Sequence, residues 1–159
     1  MRNWFALILV ALLVASTAGA QSSHDPFATA STSTPDIFAT FRSQWARNLH
    51  EKRIDASVAE YAPDADFIDP NGARISGTQA IRRLFETVTA TYDSDLAFTS
   101  KRIVQSGSLA FDSGTYDETL IVRATGKTQH AVGSYLTIYQ RGPTGEWLIV
   151  QQIWTGAVN

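Results

Sequence analysis

Ile37, Phe38, Phe41, Trp45 and Leu49 recur at steps of three and four residues, which is the period of one apolar face of an α-helix. Thr34 suits the cap of that helix, Pro35 its first position and Asp36 the positive end of its dipole. A shorter helix is expected at Ala56–Tyr61, carrying Val58 and Tyr61 inward and ended by Pro63. Asp66–Asp69 reads as a short strand, Asn71-Gly72 as the hairpin turn after it, and Arg74-Ile75 as the return. Ser76 and Gln79 have capping-box spacing and open a third helix, with Ile81, Leu84, Phe85 and Val88 on its apolar face to about Tyr92. The pattern then changes. Four strand-like runs follow, Leu96–Gln105, Leu109–Val122, Thr128–Gln140 and Glu146–Trp154, with glycine in each gap at Gly107, Gly126, and Gly142 with Gly145. Gly114 and Gly133 lie inside long strands and are expected at bulges or sharp bends.

Helices followed by an antiparallel meander with short turns predict an α+β domain with its helices on one face of the sheet. The start of the chain has a different character. Arg2, an apolar run at Trp4–Ala15 and the small residues Ala18-Gly19-Ala20 form the pattern of a secretory signal peptide. The run is too short for a bilayer, which needs about 20 apolar residues. Cleavage near Ala20/Gln21 is therefore expected, with an exported (periplasmic or secreted) product and no stable membrane anchor. Gln21–Thr34, rich in Ser, Thr and Ala, reads as a flexible linker, and residues 35–159 as one folded domain. The 159 residues hold no cysteine, so packing alone must stabilise the domain, even in an oxidising compartment. With 13 basic and 15 acidic residues and no basic cluster larger than Lys52-Arg53, the charge pattern does not point to nucleic acid.

The stretch Tyr61–Phe85, and within it Asp64-Ala65-Asp66-Phe67-Ile68-Asp69-Pro70-Asn71-Gly72, resembles the NTF2-like superfamily, in particular its SnoaL-like and ketosteroid-isomerase-like (DUF4440-type) domains. Gly114-Thr115-Tyr116, Gly133-Ser134-Tyr135 and Gly145-Glu146-Trp147 are further landmarks of the resemblance, which covers about residues 35–156. It implies a cone of three N-terminal helices packed on a strongly curved antiparallel sheet, with an apolar pocket at the open end. It also implies frequent homodimers, formed through the outer sheet face. An aspartate before proline at this place is the catalytic base of ketosteroid isomerases, so the resemblance puts Asp69 at the pocket mouth. That family also uses a tyrosine and a protonated aspartic acid as oxyanion donors. Their places fall here on Trp45 and on Ala131–Tyr135, where no carboxylate stands, so steroid isomerisation is not expected.

Asp69 has two readings. A carboxylate in an apolar pocket has its charged form disfavoured, which moves it toward the range of a general base. An aspartate before Pro-Asn-Gly also starts turns by accepting backbone N–H groups. Trp45, Tyr61, Phe67, Tyr116, His130, Tyr135, Gln152 and Trp154 are the candidate pocket residues, Gln152 sharing a face with Trp154 by alternation. His24, His50 and His130 have no metal-ligand spacing, and no glycine-rich phosphate loop is present, so neither metal nor cofactor is expected. Two functions remain. One is an exported pocket protein for an apolar or amphipathic small molecule, with or without weak lyase, isomerase or cyclase-type acid–base activity. The other is a non-catalytic dimeric binding or assembly module.

Overall fold

A computed structural model describes residues 37–158. The signal-peptide, linker and Thr34–Asp36 expectations lie outside them. Helix α1 spans Ile37–His50 and buries Phe38, Trp45, Asn48 and Leu49. Helix α2 spans Ile54–Ala59 and runs directly into β1, Tyr61–Ile68. β2 is Arg74–Ser76, α3 is Thr78–Thr91, and four long strands follow: β3 Tyr92–Ser106, β4 Leu109–Val122, β5 Thr128–Arg141 and β6 Trp147–Val158. The six strands form one sheet in the order β2-β1-β6-β5-β4-β3. Every neighbour is antiparallel except β1 and β6, which pair in parallel. The architecture is therefore the expected α+β arrangement, with helices against one face of a curved, unclosed sheet.

Four local expectations are corrected. Tyr61 does not end a helix; α2 stops at Ala59 and Tyr61 opens a strand of eight residues. Pro63 lies inside that strand, in the stretch where the β1–β6 register shifts between Tyr61 and Asp66, a place where the missing N–H costs no ladder bond. Ser76 is no helix cap. Its hydroxyl donates to Asp66 Oδ1 at 2.6 Å, and α3 starts after Gly77 with no side-chain cap. Strand β3 begins at Tyr92 rather than Leu96, because the inward alternation Tyr92, Ser94, Leu96, Phe98 is already running while the chain leaves α3. Strand β6 runs on to Val158 rather than ending at Trp154.

The inner face of the sheet is built by alternation. On β4 the inward residues are Ala110, Asp112, Gly114, Tyr116, Glu118 and Leu120; on β5 they include Ala131, Tyr135, Thr137 and Tyr139. A register shift leaves Val150 unmatched, so Ile149 and Gln152 both point inward despite their odd spacing. Gly133 sits against β6 with no room for a side chain: a Cβ there would lie 1.7 Å from the Thr155 carbonyl oxygen. At Gly114 the extra residue belongs to the neighbouring strand, between Ser100 and Arg102, and a Cβ would lie 2.1 Å from the Thr99 carbonyl. Both bends let the long strands curl over the helices.

An aromatic cluster joins the helices to the sheet. Trp45 on α1 packs on Trp154 at 5.6 Å between ring centroids, and Trp154 packs on Tyr116 at 4.5 Å and Phe67 at 6.3 Å. Phe85 of α3 meets Trp45 edge-on at 5.7 Å. Each such pair adds roughly 0.5–1.5 kcal/mol beyond the area it buries. Phe38, Tyr139 and Trp147 form the opposite end of the same core.

Candidate functional site

The inner face divides into a filled end and an open end. At the filled end the sequence-named residues Trp45, Tyr61, Tyr135 and Gln152 are buried and bonded to one another or to neighbours. Trp45 Nε1–H donates to the Tyr61 hydroxyl at 2.9 Å; that hydroxyl donates to Gln152 Oε1, and Gln152 Nε2 reaches Thr137 Oγ1 at 3.4 Å. Burial pushes the Tyr61 hydroxyl well above its usual range, so it stays a neutral donor. Beside this chain the fully buried Asp112 is ion-paired with Arg42 and accepts from Ser100 Oγ at 2.6 Å and from the Tyr135 hydroxyl at 3.2 Å. Burial, then the Asp112 charge, pushes Tyr135 up to about 12. A gap of only about 10 Å³ remains among Arg42, Trp45, Tyr135 and Gln152. That is about the least space that holds one water, so this end is closely packed.

At the open end lies a cavity of about 770 Å³. Leu49 of α1 and Leu84, Phe85 and Val88 of α3 line one side; Phe67, Tyr116, Leu120, Ala131 and Trp154 from the sheet line the other. The exposed Pro70 and Asn71 of the β1–β2 turn stand at its rim with Asp69. Three more of the sequence-named residues, Phe67, Tyr116 and Trp154, thus meet Asp69 here. Trp154 Nε1 is buried among these rings without a hydrogen-bond partner.

Asp69 serves the turn. Its Oδ1 accepts the backbone N–H groups of Asn71 and Ala73, both at 2.9 Å, while its own N–H donates to the Ala73 carbonyl. Gly72 completes the turn at φ 83°, and Asn71 does not share that left-handed conformation, so the turn is not the symmetric two-residue type. Asp66 stands apart from the cavity: Arg74 and Ser76 bind its carboxylate and hold it below the usual range.

His130 is not a pocket residue. Its neighbours Gln129 and Ala131 line the cavity, so alternation turns His130 to the outer face, where it is exposed beside Thr119. The same rule identifies a residue that sequence reading passed over. Tyr116, Glu118 and Leu120 share the inner face, and Glu118 brings a carboxyl into the apolar part of the cavity. Its hydrogen-bond partner among the described residues is the Ser94 hydroxyl, which donates to Oε1 at 2.5 Å. Burial raises the Glu118 carboxyl above its ordinary value, the Ser94 bond partly offsetting it. The signal was legible in the sequence: an acid at i+2 between two large apolar residues of a strand.

The arrangement offers a largely apolar chamber whose polar lining residues include Asp69, Glu118, Tyr92, Tyr116, Asn71 and Gln129. A family model of the SnoaL-like domain matches residues 43–147. No curated protein matches the chain in sequence. Among solved structures, a ketosteroid isomerase-like protein from Erwinia carotovora atroseptica superposes with a TM-score of 0.69 at 21% identity, covering 76% of this chain and 93% of that one. An NTF2-like superfamily protein from Salmonella enterica serovar Typhimurium gives 0.70 at 20% identity over 77% and 90%. A type 2 hexachlorocyclohexane dehydrochlorinase gives 0.69 at 12% identity over 77% and 84%. At these identities the structures establish a shared fold. Helix order, sheet topology and the family match agree: the chain has the NTF2-like fold and belongs to the SnoaL-like domain family.

Proposed function

We propose that this is an exported pocket protein that binds an apolar or amphipathic small molecule, with weak acid–base turnover of lyase, isomerase or cyclase type open to it. The observation that carries the reading is the cavity of about 770 Å³ with apolar walls and few polar groups. Ligand sites typically have about 300–1,000 Å³ and this kind of lining. A dehydrochlorinase on the same fold supports proton chemistry as within the reach of such a chamber. In this chain the proton acceptor would be Glu118 or the Oδ2 oxygen of Asp69, since Asp69 Oδ1 is engaged by the turn.

Thermal unfolding against a panel of apolar metabolites tests the reading. A compound at about 100 times its dissociation constant adds roughly 2.7 kcal/mol of stability. A rise of several degrees that Leu84→Glu abolishes would support binding in the cavity. A panel in which no compound shifts the midpoint would count against it. Export is tested separately, by the N-terminal residue of the protein recovered outside the cytoplasm; Gln21 is expected.

A second reading, the non-catalytic dimeric module, is favoured by Leu109, Ile121 and Val132, which are 52%, 42% and 44% exposed. Ile121 and Val132 stand on the outer face of the sheet, where a second copy would cover them. Mass in solution tests it, beside Val132→Lys: a strict monomer would remove this reading.

A further inference from the structure

The charge of the cavity selects its ligand. Among the described residues its charged lining residues are Asp69 and Glu118, and no Lys, Arg or His lines it. Glu118 has no cationic partner among the described residues. Its inward position on β4 is flanked by Tyr116 and Leu120, and it faces Leu96 on β3 and Ala131 on β5. Its Oε1 is held by Ser94, and among the described residues no donor reaches Oε2. The rings of Phe67, Tyr92, Tyr116 and Trp154 supply electron-rich faces around the same space. An anionic ligand would enter against two carboxylates with no counter-charge. A neutral ligand without a donor would leave Glu118 with the Ser94 hydroxyl alone. An ammonium on an apolar body supplies a charged donor to the carboxylate and is attracted to the ring faces.

Resting on the pocket-binding reading, we propose that the cavity takes a lipophilic cation: an apolar molecule bearing a protonated amine, its nitrogen at Glu118 and its hydrocarbon against Trp154, Tyr116 and Phe67.

The test uses three flexible probes of one chain length, octylamine, octanol and octanoate, titrated calorimetrically into the whole protein near neutral pH. The amine is expected to bind one site per chain about tenfold tighter than the alcohol, with octanoate weakest. In Glu118→Gln the amine should fall to the level of the alcohol while the alcohol is unchanged, which also shows that the variant cavity is intact. The order of the three in the wild-type protein decides the matter even if that variant fails to fold. Alcohol or octanoate binding as tightly as the amine would overturn the proposal and leave the pocket reading standing. So would an amine preference that survives Glu118→Gln. If none of the three binds, the pocket reading falls and the proposal falls with it.

Discussion

Asp112 and Glu118 lie on the same strand and the same face, six positions apart in sequence, yet they sit in opposite surroundings. Asp112 has a guanidinium and two hydroxyls around its carboxylate and is fully buried. Glu118 has one hydroxyl, apolar neighbours and open space. The first locks the sheet to α1 through Arg42. The second contributes little to the fold and is available to something else. In a protein interior an acid surrounded by donors is architecture, whereas an acid short of partners points to a missing molecule.

The strongest way to break this contrast is to remove the architectural acid. Asp112→Ala would leave Arg42 and Tyr135 facing an empty polar site, and a loss of about 3–5 kcal/mol is expected. Denaturant midpoints would show it, and an unchanged midpoint would mean that the ion pair is not structural.

A third acid sharpens the comparison from between the extremes. Buried Glu60 accepts from Asn48 Nδ2 at 2.9 Å through Oε1, while Oε2 has no partner, and burial raises the carboxyl to about 7 despite the Asn48 bond. The native state thus holds a proton that the unfolded chain releases from about pH 4.5 upward. Stability should be fullest below that pH, fall by on the order of 2 kcal/mol as pH rises toward 7, and stay level beyond. In Glu60→Gln that segment of the pH–stability curve should flatten. A wild-type curve already flat across it would show that Glu60 is not perturbed by its surroundings.

Asp69 ranks next. Losing its two backbone partners in Asp69→Ala should cost about 1 kcal/mol, with Asn restoring most of it because its carbonyl accepts the same N–H groups. A cost to ligand binding in Asp69→Asn without a cost to stability would assign Asp69 to the chemistry of the cavity. The smallest effect is expected at the other pole of the comparison. Glu118→Gln should leave stability within about 0.5 kcal/mol of wild type or raise it slightly, since a carboxylate short of partners is being neutralised. A loss as large as that of Asp112→Ala would erase the distinction between the two acids.

The parts of this fold legible in the sequence were those with long, regular periods. The α1 face from Phe38 to Leu49 and the meander from Leu109 onward follow directly from spacing. What escaped depends on contacts between distant segments. Pro63 is tolerated in β1 because the β1–β6 ladder is irregular there, and no local rule reports on a strand nearly 90 residues away. Ser76 and Gln79 fit a capping box, but the hydroxyl found a stronger acceptor in Asp66, ten residues back. Among the named pocket residues, Tyr61, Tyr135 and Gln152 share the inner face of the sheet with Trp154, and Trp45 packs onto that face from α1. Face alone does not say which end of the cone a residue occupies, and these four lie at the filled end. His130 and Glu118 are different. Strand alternation, applied strictly, excludes the first and includes the second.

The parallel pairing of β1 with β6 has a consequence in time. β6 is the last strand of the described chain, yet it lies in the middle of the sheet, joining β1-β2 to β5-β4-β3. Until Trp147–Val158 has been synthesised, the nascent chain has two unconnected sheet fragments, and the cavity lacks the wall that Trp154 provides. Completion of the fold is therefore coupled to the synthesis of β6, and a chain truncated before Trp147 should behave as a degradation substrate rather than as a weakened version of the protein.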